Sequence, residues 1–291
     1  MKKLSLDTIK KMRQIEICTR RLLNGSLMGD NRSAVKGSGF EFDQIRDYQM
    51  GDDIRFIDWS SSARANKLLV KQYIEERNRT IMIAVDISAS SSFSSSEQMR
   101  SEVMAQLASV LALVGDYGKD YVGLILFSDT VEYYLPPSKG RSHIHALMEK
   151  LYSFKPRRTK TNIAAALQHL LKISSRNGIA FIISDFIDQH SFEKSLRTAS
   201  KKYDIIALRC LDAHEQAMPS LGFVMVEDTE SGTIHELDLR SSKGAVHYFL
   251  RQRSAAQQKM LKKYGVSCVD IALDKPFIGE IIRFFRARMM Y

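Results

Sequence analysis

Ile81-Met82-Ile83-Ala84-Val85 is five apolar residues in a row, and the run ends on a carboxylate, Asp86. A strand without polar alternation is buried on both faces, so structure must cover its sheet above and below. Such runs recur at Tyr121 to Phe127, Ile179 to Ile183, Tyr203 to Leu211 and Val266 to Ala272. Helical patterns lie between them. From Glu97, the residues Met99, Val103, Leu107, Val110, Leu111 and Val114 recur at three- and four-residue steps, and Gly115 and Gly118 mark the end. Further helices are expected at Ser142 to Leu151, Thr161 to about Ser175, Phe192 to Lys201, Val246 to Tyr264 and Phe277 to Met289. Strands alternating with helices predict an α/β fold, a mostly parallel sheet with helices on both faces. Ser94-x-x-Glu97 reads as a capping box. Val131 to Leu135 reads as an antiparallel edge strand stopped by Pro136-Pro137. Leu221 to Val226 and Thr233 to Leu237 read as a hairpin inserted near residues 221–238.

The chain ahead of this rhythm differs. Leu4 to Leu23 has one apolar face among charges, the pattern of a packing helix, and residues 29–39 are a glycine-rich loop. Phe40 to Tyr73 is dense in charge and aromatics, with Arg46-Asp47-Tyr48, Gly51-Asp52-Asp53-Ile54-Arg55 and the sole tryptophan, Trp59. Here Arg–carboxylate pairs are expected to pin a small α+β lobe to a neighbour. A compositional shift near Asn78 divides the chain into residues 1–77, helix and lobe, and residues 78–291, the α/β domain.

The 43 Lys and Arg against 33 Asp and Glu give a net charge of +10. Basic chains meet nucleic acid, acidic proteins or anionic membrane. The basic residues here are spread in pairs such as Lys10-Lys11 and Lys262-Lys263, with one short basic loop, Lys155 to Lys160. That is a solvated surface, and no nucleic-acid motif accompanies it. Cys18, Cys210 and Cys268 are far apart and lack metal or redox spacing, as buried thiols in a reducing compartment would be. No run approaches the ~18 apolar residues of a membrane helix. The N-terminal residues lack the apolar core of a signal peptide. The expectation is a cytoplasmic protein with no membrane span.

Asp86-x-Ser88-x-Ser90 places a carboxylate and two hydroxyls after the first apolar strand, at the sheet edge where open α/β folds bind ligands. Thr161 opens a helix, and Asp185 follows another apolar strand. Loops after different parallel strands converge at this edge. Hard oxygens of low total charge suit Mg²⁺, which keeps open positions for water or a partner's oxygen.

The set Asp86, Ser88, Ser90, Thr161 and Asp185 resembles the metal-ion-dependent adhesion site of von Willebrand factor A domains. Upstream, Gly39-x-Glu41-Phe42, Arg46-Asp47-Tyr48, Gly51-Asp52-Asp53-x-Arg55-x-Ile57-Asp58-Trp59, Ala63-Arg64 and Lys71 resemble the bacterial family called domain of unknown function 58. The likeness covers roughly residues 37–188. It implies a von Willebrand A-like domain and a partner among the MoxR-type AAA+ ATPases, beside which many members are encoded. It also implies Mg²⁺, or Mn²⁺ or Ca²⁺, held by Ser88, Ser90 and Thr161. Asp86 and Asp185 would act directly or through water, and an open position would take a partner's Asp or Glu. Two features depart from the family. Ser91 stands where Met is frequent, and the membrane helices many members carry have no counterpart here.

The leading expectation is therefore a non-enzymatic, metal-dependent interaction module. The alternative is a Mg²⁺-dependent phosphohydrolase or nuclease using Asp86 and Asp185. Against it, Ser88 stands where an Asp-x-Asp enzyme has its second carboxylate, and His143, His145 and His169 lie far from these loops in sequence.

Overall fold

In the computed structural model, the described residues are 40–75, 79–92, 94, 98–173, 178–188, 190–212, 222–227 and 233–289. The expected helix at Leu4 to Leu23, the loop at 29–39 and Cys18 lie outside them. The described residues form two compact units, divided at Asn78–Arg79.

The smaller unit holds β1 (Phe40–Asp47), α1 (Trp59–Ala65) and β2 (Leu69–Glu75). The two strands pair antiparallel, with a bulge between Phe42 and Gln44. Asp58 caps α1 by accepting from the Ser61 backbone N–H at 3.2 Å and from its hydroxyl at 3.0 Å, and these bonds hold the Asp58 carboxyl below its ordinary pKa. Several ion pairs close inside the lobe. Arg46 grips Asp52 with both terminal nitrogens at 2.7 Å, Arg55 binds Asp53, and Lys67 binds Asp47. Residues so near in sequence meet at little entropic cost. Trp59 is exposed, as are Met50 and Ile54.

The larger unit runs β3 (Thr80–Asp86), α2 (Arg100–Tyr117), β4 (Tyr121–Phe127), β5 (Val131–Ser138), α3 (Arg141–Ser153), α4 (Ile163–Lys172), β6 (Gly178–Ser184), α5 (Glu193–Ala199), β7 (Tyr203–Leu211), β8 (Phe223–Glu227), β9 (Ile234–Asp238), α6 (Leu239–Lys263), β10 (Ser267–Ala272) and α7 (Ile278–Met289). Six strands form one sheet in the order β10-β7-β6-β3-β4-β5. Only β5 runs antiparallel to its neighbour. β8 and β9 make a separate hairpin. This is the mostly parallel, helix-flanked sheet of a von Willebrand A-like, Rossmann-like fold.

Period-two alternation sends Ile81, Ile83 and Val85 to one face of β3 and Met82 and Ala84 to the other. The first face packs against α2, α3 and α7 through Leu107, Leu111, Ile144, Leu147 and Ile281. The second packs against α4, α5 and α6 through Ile163, Leu167, Leu170, Leu196 and Leu261. Each such side chain, fully buried, contributes about 1.5–3 kcal/mol. Burial on both sides is why the strand runs lack polar alternation.

Three local expectations are corrected. α2 begins at Arg100, and its N-cap, Met99, makes no side-chain cap bond. The Ser94 hydroxyl donates to Asp212 at 3.3 Å, and Glu97, its expected capping-box partner, lies outside the described residues. Gly115 lies inside α2 rather than ending it. A Cβ there would sit 2.7 Å from Val122 Cγ2, so the glycine lets the helix close onto β4. Pro136-Pro137 do not stop β5, which continues to Ser138. β5 is the outermost strand, and prolines on an edge forfeit no inner ladder bond.

Candidate metal centre

β3 delivers Asp86 to the carboxyl edge of the sheet, flanked by β4 and β6. Asp86 Oδ1 accepts the Ser88 backbone N–H at 3.0 Å, which bends the chain sharply after the strand. The turn tightens into a 3-10 helix, Ala89–Ser92. There the Ser91 hydroxyl donates to the Ser88 carbonyl at 2.6 Å. The serine run thus fixes its own loop, and Ser88 and Ser90 are brought onto one side, their Oγ atoms 3.0 Å apart.

Thr161 arrives from the loop before α4 and donates to Ser88 Oγ at 2.9 Å. Asn162 caps that helix, accepting the Ala165 N–H at 3.2 Å. Asp188 Oδ2 accepts the Ile163 N–H at 2.8 Å and Oδ1 the His190 N–H at 2.7 Å. Asp188 therefore ties the Thr161 loop to the Asp185 loop.

Asp185 follows β6. Its Oδ1 accepts the Ile187 N–H at 2.9 Å. Its Oδ2 accepts from Arg100 Nη1 at 2.6 Å, in an ion pair with both side chains 1% exposed. The same Arg100 nitrogen reaches the Ser90 carbonyl at 3.4 Å. Between the two aspartates, Ser184 Oγ donates to Asp86 Oδ2 at 2.7 Å and accepts the Phe186 N–H at 3.0 Å. Phe186 is buried yet has φ +59°, the left-handed region. Its carbonyl accepts from Gln257 Nε2 at 2.7 Å. Burial, reinforced by the charge of Asp185, lifts the Asp86 pKa to about 7, against the downward pull of the Ser88 and Ser184 bonds.

The five residues singled out in the sequence thus lie together, four of them buried and Ser90 half-buried. Arg100 and Asp188 join them without having been expected. Arg100 had a signal: three, four and seven residues before Val103, Met104 and Leu107, it falls on the apolar stripe of α2. Asp188 had none, because its role is to meet a helix start 25 residues earlier.

A profile described as "Protein of unknown function DUF58" matches residues 44–259. The chain belongs to this family. DUF58 covers nearly all of the lobe, the whole β3-to-β7 core and most of α6. The uncharacterized protein Rv1480 of Mycobacterium tuberculosis is 26% identical over 283 residues, 95% of this chain and 88% of that one. Among solved structures, BatB from Bacteroides thetaiotaomicron is 17% identical, with a TM-score of 0.46, over 73% of this chain and 100% of that one. An aerotolerance-related membrane protein from Bacteroides fragilis is also 17% identical, with a TM-score of 0.48, over 73% of this chain and 98% of that one. Among the described residues, no helix is long and apolar enough to cross a membrane.

The donor set at this DUF58 edge is dominated by hydroxyls. Among the described residues no group of three or more His, Cys, Asp and Glu converges. What converges is Ser88, Ser90 and Thr161, with Asp86 and Asp185 behind them. Neutral oxygens backed by two carboxylates, one already paired with Arg100, fit a small hard cation and not a soft one. His190 lies against Asp188, whereas His143 and His169 are engaged elsewhere. His143 Nε2 contacts the Val122 carbonyl, at the start of β4, and His169 packs edge-on against Tyr134. Cys210 lies near enough to feel the charges of Arg100, Asp185 and Asp86, but burial pushes its thiol up to about 12. It is no nucleophile at neutral pH.

Proposed function

We propose that this chain is a non-enzymatic, metal-dependent protein-interaction module, with Mg²⁺ (or Mn²⁺ or Ca²⁺) held by Ser88, Ser90 and Thr161. The observation that carries this is the run of hydroxyl contacts, Thr161 to Ser88 at 2.9 Å and Ser88 to Ser90 at 3.0 Å, at the carboxyl edge of the sheet. When bound, the cation supplies an open coordination position for a partner's Asp or Glu. The chain's own residues supply the frame. Both oxygens of Asp86 and both of Asp185 already accept a hydrogen bond. They are thereby disposed to orient the hydroxyls and any bound water rather than to surround a metal themselves.

The partner class is a MoxR-type AAA+ ATPase, the class implied by the family resemblance. Thr161→Val removes one hydroxyl at nearly constant volume. Wild type is expected to retain the host's MoxR-type ATPase in Mg²⁺ and to release it in chelator. Thr161→Val is expected to retain at least tenfold less in Mg²⁺, about 1.4 kcal/mol. Equal retention by both proteins in Mg²⁺ and in chelator would remove the metal from the contact.

A further inference from the structure

The loop from Lys155 to Lys160 borders this site and carries Lys155, Arg157, Arg158 and Lys160 within six residues, with no acid among them. It has no regular secondary structure, yet it is pinned along its length. The Arg157 N–H donates to Glu132 Oε2 at 2.8 Å. The Thr159 carbonyl accepts the Ala89 N–H, inside the serine turn, at 2.9 Å. Thr161 joins Ser88, and the Asn162 N–H donates to the Ser128 carbonyl at 2.8 Å. All four basic side chains of the loop are exposed.

The acids nearest the loop are spent internally. Glu132 accepts from Ser128 and from the Arg157 backbone, and Asp129 pairs with Arg158 at 2.9 Å. Among the described residues, Lys155, Arg157 and Lys160 have no ion-pair partner. The result is a positive rim on an anchored backbone beside the hydroxyls, one residue from Thr161. An anchored backbone loses little entropy on binding, and concentrated charge raises encounter rates with the opposite sign.

We infer that the rim selects a partner segment in which the metal-seeking carboxylate is flanked by further acidic residues. This rests on the metal-dependent reading above and adds the chemistry of the partner's segment. A lone Asp or Glu would satisfy the metal position. An acidic cluster would satisfy the metal position and the rim together.

The test compares wild type with Lys155→Glu/Arg157→Glu/Lys160→Glu, in Mg²⁺ and in chelator. The probes are fluorescent octaglutamate, a Gly-Ser octapeptide with one central Glu, and an eight-nucleotide thymidine strand. In Mg²⁺, octaglutamate is expected to bind wild type and to weaken about tenfold or more on the triple variant. The single-Glu peptide is expected to weaken far less than octaglutamate on the triple variant, and chelator to release both peptides. Octaglutamate binding that needs Mg²⁺ but ignores the variant overturns the rim and leaves the metal reading standing. Binding lost in the variant but indifferent to chelator keeps the basic surface and overturns the metal reading. No octaglutamate binding to wild type overturns the inference, as does tighter, rim-dependent binding of the thymidine strand, which would make the partner a nucleic acid. Should the triple variant lose the wild-type melting transition, Lys155→Glu and Lys160→Glu singly, at exposed side chains, replace it.

Discussion

At Asp86 the fold buries a carboxylate beside a second one, and its pKa is raised to about 7 by burial first and Asp185 second. In the unfolded chain it titrates near its ordinary value of 3.8. Between those limits the native state holds a proton that the unfolded state has released. The contribution to stability is therefore complete below about pH 4, declines as pH rises, and is gone above about pH 7. In chelator, the urea midpoint of wild type is expected to fall between pH 5 and pH 8, and Asp86→Asn is expected to flatten that slope. The variant should be more stable than wild type at pH 8 by about 1–4 kcal/mol, with its Mg²⁺-induced stabilisation abolished. A wild-type midpoint level across this range would mean that Asp86 is ionised throughout. Arg100 shows what a sequence conceals at this scale. A guanidinium on an apolar stripe looks misplaced until the carboxylate from another loop, 85 residues on, is seen to meet it.

The elements were the most legible part of the chain. The strand runs near Ile81, Tyr121, Ile179 and Tyr203 became β3, β4, β6 and β7 within a residue or two, because burial on both faces leaves an unambiguous apolar run. Element starts were less legible. Ser94 had the residue type and spacing of a cap, but its hydroxyl found Asp212, a partner remote in sequence. The oxygen donors at the strand ends were readable as positions; the bonds that align them were not. Asp188 is the test of that alignment. Asp188→Ala strips the acceptor from the Ile163 N–H and is expected to cost about 0.5–2 kcal/mol, the range for a lost helix cap. Because it also unties the Thr161 loop from the Asp185 loop, Mg²⁺-induced stabilisation should fall more than the fold loss accounts for. Glu193→Ala removes exposed contacts to Lys263 and Tyr264 and should leave the Mg²⁺ effect intact. Equal Mg²⁺ responses in the two variants would show that Asp188 only supports the helix.

Across the larger unit, two apolar cores share one sheet, and β3, β4, β6 and β7 contribute side chains to both. The two faces should therefore unfold together. Leu107→Ala on one face and Leu167→Ala on the other are each expected to cost about 2–5 kcal/mol. Both should lower a single common transition, and the double variant should lose close to the sum. Two separate transitions in calorimetry would refute a shared core. The α/β class was readable because the alternation of strands and helices repeats along most of this unit. The lobe was read as a small α+β unit, but its internal pairing was not, since short-range ion pairs such as Arg46 with Asp52 leave no periodic trace. One further consequence concerns time. Phe186 holds a left-handed backbone that costs a bulky residue about 1–3 kcal/mol, and the glutamine gripping its carbonyl lies on α6, 71 residues later. A nascent chain thus makes both aspartates and all three hydroxyls well before Gln257 exists. Until α6 docks, the turn that presents Asp185 lacks that restraint, so a chain halted before α6 would own all five residues of the candidate site without the bond that steadies that turn.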